Sequence, residues 1–189
     1  MNNSTTQRSA LIPLAQGCEE LEAVTLIDLL RRAEIKVTTA GLDEHIVTAS
    51  RGTQLKPDTH LDHAMQTDYD IIILPGGLPG ADHLRNDPRI ISLIQQQHSA
   101  GKLIAAICAA PKVLAHAGIL NGKNATCYPG SLSAEELDGV KLSTQAVVQD
   151  GNVFTSKGPG TAMDFALVLI ENLTDHATRV AVENPLQRT

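Results

Sequence analysis

The sequence predicts a doubly wound α/β domain: a mostly parallel sheet covered by helices on both faces. Short apolar runs alternate with amphipathic segments along the chain. The runs are near-continuous in Ile, Leu, Val and Ala, as in strands buried on both sides. No linker or internal repeat divides the 189 residues, which suffice for one domain with a sizeable core.

Ala10 to Ala15 reads as the first strand. Leu21 to Ala33 is a helix ending in Arg31-Arg32, cations suited to a helix C-terminus. Ile35 to Ala40 is a strand closed by Gly41. Residues 44–62 read as short strands and loops punctuated by Gly and Pro. Asp70 to Leu74 is a strand running into Pro75-Gly76-Gly77, and Pro88 to Ala100 is a helix with Pro at its start. Leu103 to Ile107 is a strand, and Ala110 to Ala117 is the helix after it. Residues 124–148 read as short strands with an exposed helical turn from Ser133 to Leu137. Asn152 to Ser156 is a strand. Thr161 to Leu173 is an amphipathic helix, with Thr161 as N-cap and Asp164 completing an Asp variant of the capping box.

Composition excludes several function classes. The net charge is −6, from 21 acidic and 15 basic residues, which argues against nucleic acid. Two Phe, two Tyr and no Trp leave no platform for stacking bases. No apolar run approaches the roughly 18 residues of a membrane span. Met1 to Ser9 is polar with no apolar stretch, so it reads as a short tail rather than a secretory signal, ahead of a single domain over 10–189. Three cysteines, an odd number, suit free thiols in a reducing cytoplasm. Cys18, Cys108 and Cys127 lack CxxC spacing, and the seven His form no HxxxH or HExxH pair, so no metal site is expected.

Three features are expected at the carboxyl edge of the sheet, where such folds bind ligands. Cys108 falls in the tight corner between a strand and a helix. Ala106 and Ala110, two positions either side, give the spacing of a nucleophile elbow. The positive end of the following helix favours a thiolate there. A buried core cysteine is the competing reading. Gly76 and Gly77 leave backbone N–H groups unshielded, able to form an oxyanion hole with the N–H of Ala109; a plain turn is the alternative. Glu22 lies within about 30° of the centre of the apolar stripe Leu26, Leu29, Leu30 and Ala33 at 100° per residue. A carboxyl on that side is expected to be buried, protonated and able to donate to a thiolate and move a proton. The alternative is an end-of-helix Glu reaching water. Together, thiol, acid and donors point to carbonyl or acyl chemistry by a cysteine.

Other candidates are weaker. Cys18 lies in the loop leading to Glu22 and reads as a passive small residue or a resolving thiol. Cys127 reads as strand core or a minor oxidation site. His116 lies about two helical turns from Cys108, too far to be its base. Gly158-Pro159-Gly160-Thr161 reads as a turn and cap rather than a phosphate loop.

Several motifs now carry a resemblance in consistent order. They are Gly17-Cys18-Glu19-Glu20-Leu21-Glu22, Leu29-Leu30-Arg31-Arg32-Ala33, Leu74-Pro75-Gly76-Gly77, Ile104 to Pro111, and Thr155-Ser156-Lys157-Gly158-Pro159-Gly160-Thr161. From about Ala10 to Leu173 the chain resembles the ThiJ/PfpI superfamily, in the branch of the human parkinsonism-associated protein deglycase. The resemblance implies a flavodoxin-like fold and a homodimer, with Arg31, Arg32 and Arg51 at or near the dimer interface. It places the nucleophile on Cys108, the acid on Glu22 and backbone donors at Gly77 and Ala109. Two departures matter. Ala109 replaces the His that follows the nucleophile in the superfamily's proteases, so peptidase activity is not expected. Tyr128 in Thr126-Cys127-Tyr128-Pro129 stands where the deglycase branch has His, a candidate substrate contact but a poor base.

The resulting expectation is a cofactor-independent enzyme for reactive dicarbonyls, free or as adducts on proteins and thiols. A redox sensor and chaperone switched by Cys108 oxidation is the alternative. Thiazole biosynthesis or amide hydrolysis is a third, with no phosphate site to support it.

Overall fold

The computed structural model describes residues 7–188. Seven strands form the main sheet. They are β1 (Ser9–Leu14), β2 (Lys36–Gly41), β5 (Thr59–His60), β6 (Ile71–Leu74), β7 (Leu103–Ile107), β10 (Val147–Asp150) and β11 (Val153–Ser156). Two small ribbons pair β3 (Val47–Thr48) with β4 (Gln54–Leu55), and β8 (Asn124–Ala125) with β9 (Lys141–Leu142). The helices are α1 (Glu20–Arg32), α2 (Leu61–Ala64), α3 (Gly80–Asn86), α4 (Pro88–Ser99), α5 (Pro111–His116), α6 (Ala162–Leu173) and α7 (His176–Glu183).

The sheet order is β10-β11-β7-β6-β1-β2-β5, parallel except for β10 against β11. Its five main parallel strands run β2, β1, β6, β7, β11, the 2-1-3-4-5 order of a flavodoxin-like sheet. From β1 the chain first moves to one side, to β2, and later returns to the other, to β6. The crevice beyond the carboxyl ends of β1 and β6 is therefore the topological switch point.

Alternating strand residues explain the two cores. Ile12, Leu14, Ile71, Ile73, Ala105 and Ile107 face α1 and α6. Leu11, Ile72, Leu74, Ile104 and Ala106 pack with Ile90 and Ile94 of α4 and Val113 and Leu114 of α5. Both strand faces are dry, so the runs are apolar without alternation. Among the described residues, no helix is long and apolar enough to cross a membrane.

Several expected elements shift or change. Of the polar tail expected over 1–9, residues 1–6 lie outside the described residues, and Ser9 opens β1. Ser9 N–H and Arg8 both bond Asp70, tying the strand start to β6. The expected exposed helical turn from Ser133 to Leu137 forms as a single turn: Leu137 N–H donates to Ser133 O at 3.0 Å, Ser133 N–H donates to Glu136, and Glu136 N–H donates to Ser133 Oγ. The capping box at Thr161 does not form. Its hydroxyl turns back to Ser156 Oγ and the Gly158 carbonyl, bonding the preceding turn instead.

Three helices escape the sequence reading; the four-residue α2 opens at the end of a segment read as short strands and loops. α3 is too short for a periodic stripe, and α7 follows the last apolar run. Asp175 caps α7, its carboxylate accepting from Thr178 N–H at 2.8 Å. Asp175→Ala should lower Tm by roughly 2–4 °C in calorimetry. An unchanged Tm would show the cap is silent.

Candidate active site

Cys108, Glu22 and the Gly76-Gly77 turn meet at the switch point, as the sequence predicts. β7 ends at Ile107, and Cys108 takes φ = +64°, a left-handed conformation that costs energy for a side chain with a Cβ. Cys108 N–H donates to Ser156 O of β11 at 2.9 Å, and Tyr128 N–H donates to Cys108 O at 2.8 Å. The corner is thus pinned from two sides, and the thiol is lifted off the strand end. Only 8% of the residue is exposed.

Glu22 lies on the first turn of α1 and is wholly buried. Its Oε2 accepts Gly76 N–H at 2.8 Å, while Glu19 N–H donates to Gly76 O at 2.9 Å. The two bonds clamp the start of α1 to the turn after β6. Gly76 must be glycine for space: a Cβ there would lie 2.7 Å from Cys108 Cβ and 2.8 Å from Glu22 Oε2. The thiol, the acid and this backbone are therefore in van der Waals contact.

The electrostatics follow from that crowding. Burial pushes the Glu22 carboxyl up to about 7; the Cys108 thiol and the Gly76 N–H oppose the rise, and Glu19 adds to it. Burial also pushes the Cys108 thiol up to about 12, with the Glu22 carboxylate adding to the rise by its charge and by hydrogen bonding. The Gly77 and Ala109 N–H groups pull the other way, both directed at the sulfur. The expectation of a thiolate favoured by the helix dipole is thus corrected: desolvation outweighs the end of a six-residue helix. The thiolate instead needs a neutral Glu22, whose proton removes the repulsion and can be donated to the sulfur. Thiol and acid titrate as a pair. Glu22 Oε1 is buried without a hydrogen bond of standard geometry, which leaves that oxygen free to face a newly formed group.

The donor set is also narrower than expected. Gly76 N–H is committed to Glu22, so it is not an oxyanion donor. Gly77 and Ala109 remain, and they converge on the sulfur. Tyr128 is half exposed, and its ring packs on Gly158, where a Cβ would meet Cδ2 at 3.2 Å. Its backbone N–H donates to Cys108 O.

Cys18 packs on the Gly77 turn, where a Cβ would come 2.7 Å from its backbone carbonyl carbon. Cys18 is buried, and burial raises its thiol to about 11. Cys127 is partly buried, with burial again raising the thiol. His116 is exposed on α5. Among the described residues, no three His, Cys, Asp or Glu side chains are grouped to hold a metal ion. Sequence reasoning missed Ser156 and Ser131, whose backbone carbonyl and hydroxyl respectively bond the Cys108 backbone. Both act across strands or loops, so no local spacing marks them.

Comparison with known proteins adds a second line of evidence. The DJ-1/PfpI family pattern matches residues 8–172. The chain is 45% identical over 168 residues to Protein dj-1beta of Drosophila melanogaster, spanning 88% of this chain and 89% of the relative. It is 39% identical over 168 residues to the glutathione-independent glyoxalase DJR-1.2 of Caenorhabditis elegans, spanning 88% and 89%. The crystal structure of Drosophila DJ-1beta superposes with a TM-score of 0.93 at 42% identity, covering 97% of this chain and 100% of that one.

Proposed function

The chain belongs to the DJ-1/PfpI family, and from that premise we propose that it is a cofactor-independent enzyme converting reactive dicarbonyls such as methylglyoxal to hydroxy acids. The observation that carries this reading is one strained cysteine in contact with a buried acid of raised pKa, with two N–H groups aimed at its sulfur. A similar relative named as a glutathione-independent glyoxalase supports the reaction class.

In the proposed reaction the Cys108 sulfur adds to the aldehyde carbon and the C=O π bond breaks. The new oxyanion is met by Gly77 and Ala109 N–H and receives the Glu22 proton, giving a hemithioacetal. The Glu22 carboxylate then removes the proton from that carbon and returns it to the neighbouring carbonyl carbon, while the hemithioacetal hydroxyl proton passes to the neighbouring oxygen, so that the first carbon becomes the C=O and the second the CH–OH. The product is a lactate-level thioester. Water cleaves the C–S bond, releasing the hydroxy acid and restoring the thiol. The net change is addition of one water, with no external oxidant or reductant. In glycated amines and thiols the aldehyde carbon is held as a carbinol; loss of the amine or thiol, with the hydroxyl proton going to the leaving group, regenerates the aldehyde that Cys108 attacks, so deglycation feeds the same chemistry. With Ala109 after the nucleophile, the site has no adjacent His for peptide hydrolysis.

The proposal extends to a homodimer in a reducing cytoplasm, for which the exposed apolar pair Leu21 and Val24 on α1 gives a contact face. The test of function is direct. Purified protein with methylglyoxal, without glutathione or added metal, should produce lactate in step with dicarbonyl loss. Consumption with no lactate would reduce the protein to a carbonyl scavenger and defeat the reading.

A second reading rests on the unpartnered Glu22 Oε1. An oxygen added to Cys108 sulfur would meet a protonated carboxyl able to donate to it, so peroxide oxidation to a sulfinate would be stabilised and could switch a binding or chaperone activity. A mass gain of two oxygens on Cys108 at low peroxide, in protein that turns over no dicarbonyl, would favour it.

A further inference from the structure

Lys112 is an anomaly within its segment. Pro111, Val113 and Leu114 around it are buried and apolar, and Lys112 itself is only 8% exposed. Burying an ammonium costs energy, and a cation in the first turn of a helix opposes the dipole. Its Nζ donates to Asp82 Oδ1 of α3 at 2.8 Å, an ion pair between the helices that follow β6 and β7. An apolar residue would fill the same space without either cost. A pair kept under those conditions fixes a geometry.

The geometry it fixes is that of the two donors. α3 begins three residues after Gly77, and α5 begins three residues after Cys108. Ala81 N–H, beside Asp82, donates to Gly77 O at 2.9 Å. Lys112 N–H donates to Ala109 O at 3.3 Å. Lys112 thus closes the turn that starts at Ala109, and Asp82 sits one residue past the turn that starts at Gly77, so the ion pair ties the two turns together. Among the described residues, it is the only salt bridge between α3 and α5.

We propose that the Lys112–Asp82 pair is a positioning clamp that sets the separation of the Gly77 and Ala109 N–H groups about the Cys108 sulfur. Lys112 touches neither sulfur nor substrate; it acts through the Ala109 turn. The kinetic part of this inference rests on the dicarbonyl reading above, whereas the thiol part does not.

The test uses Lys112→Met, which keeps the stem and removes the charge, and Asp82→Asn, at a more exposed position, in case the first variant fails to fold. The expected result is a fall in kcat of about tenfold with KM changed less than about threefold, since misplaced donors act on the transition state. Independently of turnover, the pH profile of Cys108 alkylation by iodoacetamide should move upward by about half a pH unit or more, because weaker N–H donors favour the neutral thiol. A purely structural pair would lower Tm and leave both readouts unmoved, which would overturn the clamp. If the wild-type protein turns over no dicarbonyl, the proposed reaction falls, and the alkylation profile alone decides the clamp.

Discussion

Cys108→Ser should lower lactate formation from methylglyoxal by about a thousandfold or more, with stability changed by less than about 1 kcal/mol. The substitution is nearly isosteric at a site 8% exposed, and it leaves the φ = +64° corner and its backbone bonds unchanged. What changes is acidity. An alkyl hydroxyl ionises far above a thiol, and a Glu22 carboxyl poised near 7 cannot take its proton. Binding and the two N–H donors survive, so any residual rate measures what they contribute without a nucleophile. Lactate quantified by NMR, alongside denaturant unfolding, separates the two quantities. A serine variant retaining more than about a tenth of the wild-type rate would remove Cys108 from the mechanism. Cys127→Ser serves as the comparison, because that thiol is only partly buried and makes no bond to the Cys108 backbone.

The positions of Cys108 and Glu22 were legible because each leaves a local mark. Small residues around a thiol, between an apolar run and Pro111, define a strand-to-helix corner. A carboxyl on the apolar side of an amphipathic helix defines burial. The doubly wound sheet was legible for the same reason: its buried strands carry uninterrupted apolar runs. What was not legible depends on groups brought together from distant segments. Gly76 and Gly77 look equivalent in sequence, yet one N–H is taken by Glu22, 54 residues away, and the other faces the sulfur. The dipole argument for a thiolate needed the depth of burial, which outweighs it. The role of Thr161 also turned on a distant partner: Ser156 and Gly158 compete for its hydroxyl with the helix start. Short α3 carries no periodic signal, although it bears the carboxylate that meets Lys112.

Glu22→Gln should separate catalysis from folding. The amide keeps a carbonyl oxygen for Gly76 N–H and can still donate toward the sulfur, but it neither gives up nor accepts a proton. Lactate formation should therefore fall by about a hundredfold or more. Stability should respond in a definite pH window. The native protein holds the Glu22 proton up to about 7, whereas the free side chain releases it near 4.5, so the folded state binds the proton more tightly. Stabilisation by the neutral acid is fully present below pH 4.5 and is lost as pH rises through 7, a change of roughly 3 kcal/mol at full burial. Urea unfolding at pH 4.5 and pH 7.5 should show that loss in the wild type beyond whatever the variant shows, with the other groups titrating alike in both. The variant should therefore gain on the wild type as pH rises, even while its turnover is crippled. Parallel pH profiles for the two proteins would mean that Glu22 is already ionised in the native state near pH 5. A carboxylate there would repel the thiolate, and the shared proton on which the proposed reaction depends would not exist.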